Sequence, residues 1–117
     1  MGAFDIERYK ELGTRDALGE TFAEVGEKYP ELVVLAADCL ASVRGTSFAE
    51  KHPERAINFG IAEANMMMAA AGMATCGKMP VACTFGFLAT LRAGEMIRSG
   101  ICYPNLNVKR SEEHTSE

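Results

Sequence analysis

The chain has 117 residues, enough for one domain that buries roughly two thirds of the surface its unfolded form exposes, and too few for two independent cores. With 48% hydrophobic and 24% charged residues, 11 Gly and only 4 Pro, the composition excludes a disordered or fibrous protein, and a net charge of −4 gives no electrostatic reason to expect a nucleic-acid or anionic-membrane partner. Cys39, Cys76, Cys83 and Cys102 lack Cys-x-x-Cys spacing, and three of them lie in apolar segments, which reads as reduced thiols in a cytoplasmic protein.

Met1 to Ile6 has neither the basic start nor the apolar centre of a secretion signal. Asp5 is placed to cap a short helix from Ile6 to Leu12 that Gly13 closes. Thr14 opens the next helix, in which Leu18, Phe22 and Val25 recur at i, i+4 and i+7 while Glu20, Glu24 and Lys28 take the other side, until Tyr29-Pro30 stops it. Leu32 to Ala37 is a continuous apolar run without alternation, the pattern of a parallel strand covered on both faces. It ends at Asp38, and Ser42, Arg44, Gly45 and Thr46 make a polar loop. Ser47-x-x-Glu50 has capping-box spacing and predicts a short helix that Pro53 terminates.

Arg55 to Phe59 predicts a second strand, Gly60 a turn, and Ile61 to Cys76 a helix apolar enough to be buried on most sides. Glu63, Asn65 and Gly72 within it argue for a core helix rather than a membrane span. Met79 to Thr84 predicts a third strand, Phe85-Gly86 its turn, and Leu88 to Ile101 one helix with Arg92, Glu95 and Ser99 on a single polar face. Leu106 to Lys109 begins a fourth strand. Strands alternating with helices in this way predict a doubly wound, mostly parallel α/β sheet with helices on both faces and right-handed crossovers.

Residues 110–117, Arg-Ser-Glu-Glu-His-Thr-Ser-Glu, are polar throughout and begin where a strand should continue. They resemble the translation of a sequencing adapter joined to a gene fragment. Residues 1–109 are therefore expected to be the N-terminal part of an incomplete domain, and 110–117 a non-native tail.

Ligands of open parallel sheets bind beyond the carboxyl ends of the strands. Asp38, Glu63 and Phe85 fall there. Glu63 is the sole charge between Ile57 and Gly77: it is either a helix-start residue that stays wet and meets the positive end of the helix dipole, or a buried carboxyl with a chemical task. His52 and His114 are the only histidines, so no histidine metal cluster or Ser-His-Asp set can be assembled within the chain. Neither a G-x-x-x-x-G-K-[ST] loop nor G-x-G-x-x-G after the first strand is present. A receiver module using Asp38 as phosphoacceptor lacks the acidic pair expected at an earlier strand end.

Several segments in order carry a resemblance: Thr14-Arg15-Asp16-Ala17, Ala36-Ala37-Asp38, Arg55-x-x-Asn58-x-Gly60-Ile61-Ala62-Glu63-Ala64-Asn65, Thr84-Phe85, Arg92-Ala93-x-Glu95-x-Ile97-Arg98, and Tyr103 to Lys109. From Met1 to Lys109 the chain resembles the pyrimidine-binding domain of transketolases, as carried by the C-terminal subunit of split transketolases. The resemblance implies a thiamine diphosphate-binding fold and transfer of a two-carbon ketol unit between sugar phosphates. It implies that Glu63 is the catalytic glutamate that hydrogen-bonds ring nitrogen N1′, and that Asp38, Gly60, Ile61, Phe85 and Leu88 also line the cofactor. Phe85 corresponds to the ring that stacks on the pyrimidine. Leu88 stands where a second aromatic is usual and leaves a thinner clamp, while Gly94 and Met96 replace the usual Trp and Gln. Ser42 matches a position that contacts substrate phosphate. Arg92 and Arg98 are given no catalytic role.

No Gly-Asp-Gly segment of the kind that holds Mg²⁺ and the diphosphate occurs, so the resemblance implies that the metal ligands sit on a partner subunit and that this chain by itself is inactive. Met66 to Met68 is a candidate for the subunit contact, with core packing as the simpler role. A deoxyxylulose-phosphate synthase, the β subunit of a 2-oxoacid dehydrogenase, and a non-catalytic interaction module on the same scaffold remain alternatives.

Overall fold

In the computed structural model, which describes residues 6–113, four strands run parallel: β1 (Leu32–Ala36), β2 (Ala56–Asn58), β3 (Met79–Phe85) and β4 (Lys109–Glu113), in the order β2-β1-β3-β4. β1 is interior, with Val34 registered on Ala56 at one side and on Val81 at the other, and all five of its residues are buried. Its uninterrupted apolar run follows from having helices on both faces. Leu32, Val34 and Ala36 join Phe22, Phe48 and Cys83 in one cluster; Val33, Leu35 and Ala37 join Met66, Met67, Ala70 and Ala82 in the other. Each fully buried branched side chain there contributes about 1.5 to 3 kcal/mol.

The first face is covered by α2 (Thr14–Lys28) and α3 (Thr46–Lys51), with α1 (Ile6–Glu11) preceding them. Phe22 and Phe48 meet edge to face at 6.3 Å. The Arg55 guanidinium lies 5.4 Å from the Phe48 ring and donates to Gly26 O, in the last turn of α2, and to Tyr29 O just beyond it, each at 3.1 Å. The second face carries α4 (Glu63–Thr75), α5 (Gly86–Leu91) and α6 (Gly94–Met96), which runs into a π-helical turn, Ile97–Cys102. Met66 and Met67 are buried core residues, whereas Met68 is 48% exposed.

Three expectations are corrected. The predicted helix from Leu88 to Ile101 is two helices that break at Arg92-Ala93, with Gly86 the first residue of α5 rather than a turn. Fully buried Ala93 turns inward there, and the supposed polar face divides: Ser99 Oγ donates to Glu95 at 2.6 Å while Arg92 reaches Glu63. The capping box is not formed, because α3 starts at Thr46 behind Gly45 without a side-chain cap. Successive turns, with Val43 N–H donating to Cys39 O and Gly45 N–H to Leu40 O, already wind the chain into the helix. Leu106 to Val108 is held by turn hydrogen bonds, Leu106 N–H to Ile101 O among them, and only Lys109 of that run pairs with β3.

Residues 110–113 continue β4, with Arg110, Ser111 and Glu112 registered on Ala82, Cys83 and Thr84. Backbone pairing at a sheet edge is indifferent to side-chain polarity, and Arg110 and Glu112 neutralise one another as an ion pair. The Asp5 cap lies outside the described residues, as do residues 114–117. Among the described residues no helix is long and apolar enough to cross a membrane.

Candidate active site

The carboxyl ends of β1 and β2 lie level, Ala36 being registered on Asn58, and β3, on which Ala36 meets Cys83, runs two residues further to Phe85. Just beyond, Asp38 adopts φ 56° and Gly60 φ 65°, a left-handed conformation that Asp tolerates better than most residues and glycine adopts freely. The side chain of Asn58 fixes both turns: its Oδ1 accepts the Asp38 N–H at 2.9 Å and the Gly60 N–H at 3.0 Å. Phe59 N–H donates to Ala36 O at 2.9 Å, and Ala62 N–H to Gly60 O at 2.8 Å. These bonds deliver the chain into α4 at a fixed height above the sheet, and its first residue is Glu63.

Glu63 is 2% exposed. The wet helix-start reading is thereby set aside, although the carboxylate does sit at the positive end of a 13-residue helix. Its two oxygens lie 3.3 and 3.5 Å from a single nitrogen, Nη1 of Arg92, whose side chain is 55% exposed. The sequence places Arg92 on one polar face with Glu95 and Ser99 and gives it no role at Glu63. The signal available was the isolated carboxylate itself, since a buried charge requires a counter-charge.

Thr84 and Cys39 complete the floor. Thr84 is fully buried at the end of β3 and its Oγ1 has no hydrogen-bond partner among the described residues. The Cys39 thiol donates to Cys83 O at 3.4 Å. Burial pushes the Cys39 thiol up, against the opposing pull of the Ala37 backbone and the Thr84 side chain and with the smaller help of the negative charges of Glu63 and Asp38, and burial, then proximity to Cys39, pushes Cys83 up to about 12.

Phe85 ends β3 half-buried, and its ring runs nearly parallel to that of Phe87, 17° apart with centroids at 6.5 Å. Phe87, which sequence reasoning passed over, is 60% exposed, so a second ring is present one position before Leu88. Leu88 is half-buried beside them. Ile61, 72% exposed, lies in the connection to α4, and Ser42 is exposed in the loop after β1. A separate cleft of about 610 Å³, lined by Asp16, Gly19, Glu20, Arg44 and Ser47 among others, lies between α2 and the loop before α3 and contains none of these residues.

A buried carboxylate, an unpaired buried hydroxyl and exposed aromatic faces at one sheet edge suit a planar ligand with ring nitrogens and a polar substituent. Among the described residues no group of three His, Cys, Asp or Glu side chains is disposed to hold a metal.

An open parallel sheet wound on both faces, with ligand chemistry gathered at its carboxyl edge, defines the class: a doubly wound α/β ligand-binding domain. Residues 10–112 match the family model described as "Transketolase, pyrimidine binding domain", and the chain belongs to that family. It is 48% identical over 102 residues, 87% of this chain and 32% of the relative, to a protein assigned as a transketolase C-terminal section in Methanocaldococcus jannaschii. It is 35% identical over 104 residues, 88% of this chain and 17% of the relative, to a 1-deoxy-D-xylulose-5-phosphate synthase of Dictyoglomus thermophilum. A solved split-gene transketolase, an inactive beta4 tetramer, superposes with a TM-score of 0.79 at 48% identity over 86% of this chain and 34% of its own. The chain thus spans about a third or less of the length of these relatives.

Proposed function

We propose that this chain supplies the pyrimidine-binding half of a thiamine diphosphate site in a split transketolase, the diphosphate and Mg²⁺ being held by a partner subunit. The observation that carries the proposal is Glu63, a carboxylate 2% exposed at the start of α4, on the ligand edge of the sheet, in a chain of this family. Taking such a group out of water costs several kcal/mol, a cost that a fold does not need for stability.

Thiamine diphosphate, when bound, supplies the electron sink through which a two-carbon ketol unit passes between sugar phosphates. Glu63 offers a carboxyl oxygen to ring nitrogen N1′ and holds a proton there. Phe85 presents a ring face, worth about 0.5 to 1.5 kcal/mol beyond burial when stacked, and Leu88, Gly60 and Ile61 line the remaining approach. Asp38 places an acidic group at the rim toward the partner, and Ser42 a hydroxyl where a substrate phosphate would arrive. Thr84, buried with an unpaired hydroxyl, adds a position for a polar ligand atom. A hetero-oligomer in the cytoplasm is part of the same proposal, the latter resting on four free thiols.

The test is reconstitution. The full-length natural chain, mixed with its diphosphate-binding subunit, thiamine diphosphate and Mg²⁺, is expected to move a two-carbon unit from a ketose phosphate to an aldose phosphate, and neither subunit alone to do so. The match to a deoxyxylulose-phosphate synthase favours one second reading: condensation of pyruvate with an aldose phosphate, with no ketose donor used, would replace the transketolase assignment.

A further inference from the structure

The contact between Glu63 and Arg92 is unequal. The carboxylate is 2% exposed and anchored in the first turn of α4, whereas the guanidinium belongs to a side chain 55% exposed at the break between α5 and α6. One nitrogen serves both oxygens, at 3.3 and 3.5 Å. This is not the two-pronged fork that makes Arg–carboxylate pairs tight, and it is longer than the roughly 2.7 to 2.9 Å of charge-assisted bonds. Glu63 is almost closed off from water, while Arg92 can turn into solvent and be hydrated. Among the described residues no other cation lies within ion-pair distance of Glu63.

We infer that Arg92 is a positioning residue: a resident counter-cation that holds the Glu63 carboxylate in place and gives up one of its oxygens to the pyrimidine nitrogen. The inference rests on the proposed cofactor site and adds to it the residue with which the ring competes. A pair that is stronger before the ring arrives stabilises the cofactor-free enzyme and lowers cofactor affinity by the same factor, because the two effects are one coupling free energy.

The experiment uses the full-length enzyme reconstituted with its diphosphate-binding subunit and Mg²⁺, and measures dissociation constants for thiamine diphosphate and for its analogue with C–H in place of N1′. Arg92→Gln is expected to tighten thiamine diphosphate by about 5-fold or more and to leave the analogue unchanged, with Arg92→Lys between wild type and Arg92→Gln. The cofactor-free Arg92→Gln enzyme is expected to melt below wild type, and the gap to close at saturating thiamine diphosphate. Equal shifts for both ligands, no shift, weaker binding, or a melting gap that persists at saturation would overturn the inference. Glu63→Gln in the same assay separates the two levels: loss of the preference for thiamine diphosphate over the analogue sustains the cofactor site, while an unchanged preference overturns site and inference together.

Discussion

Four side chains of the proposed site lie at the ends of strands or the first turn of a helix, and three of those, Asp38, Glu63 and Phe85, are readable from the sequence because each is fixed by its immediate neighbours. Asp38 follows an apolar run, Glu63 follows a glycine turn, and Phe85 precedes Gly86. The fourth, Thr84, is silent in the sequence: only the packing shows its hydroxyl to be buried and unpaired. Arg92 and Phe87 are equally silent, since their contacts depend on where α5 stops. The cysteines give a residue-scale prediction. Cys76 and Cys102 are exposed and Cys39 and Cys83 buried, so in the folded chain iodoacetamide should label the first two well before the others, as peptide mass spectrometry would report; simultaneous labelling would contradict the packing. Because burial raises the Cys83 thiol from 9.0 to about 12, and that of Cys39 in the same direction, the folded state favours the neutral thiols. Their contribution to stability is complete below pH 9 and is lost as pH rises from there toward 12. Denaturant titrations at pH 8 and pH 10 should show the second midpoint lower, beyond what the exposed groups produce.

Helix and strand identities follow from apolar periodicity, and the departures have local causes. β1 reads correctly because five consecutive buried residues leave no other element of that length. The capping box fails because a loop that is already turning enters α3 two residues early, and the long last helix divides because Ala93 is drawn into the core. The packing of α2 against α3 and the loop before it is close. A Cβ on Gly26 would lie 2.5 Å from Phe48 Cε2, and one on Gly19 would lie 2.6 Å from Arg44 Cβ and 2.8 Å from Arg44 O. Gly26→Ala and Gly19→Ala should each destabilise by about 1 to 3 kcal/mol, Gly19→Ala also straining the Arg44–Asp16 pair at 2.7 Å. Thermal melts of the two variants check this, and an unchanged or raised midpoint would show that the helices can part at no cost.

At the scale of the whole molecule the domain presents its chemistry on an open rim. Ile61, Phe87, Leu91 and Tyr103 are 60% exposed or more, and β4 pairs with β3 along one side alone. Exposed apolar side chains and an unpaired strand edge favour association, so the 117-residue chain by itself should run as oligomers in size-exclusion chromatography; a monomer with a cooperative melt would contradict this. The central claim is that Glu63 governs a proton on a cofactor whose other half is held elsewhere. It is tested most directly by the exchange of the C2 proton of thiamine diphosphate with deuterated water, followed by NMR in the reconstituted enzyme. Glu63→Gln should slow that exchange by about 100-fold or more while leaving the complex assembled; exchange within a few fold of wild type would contradict the account.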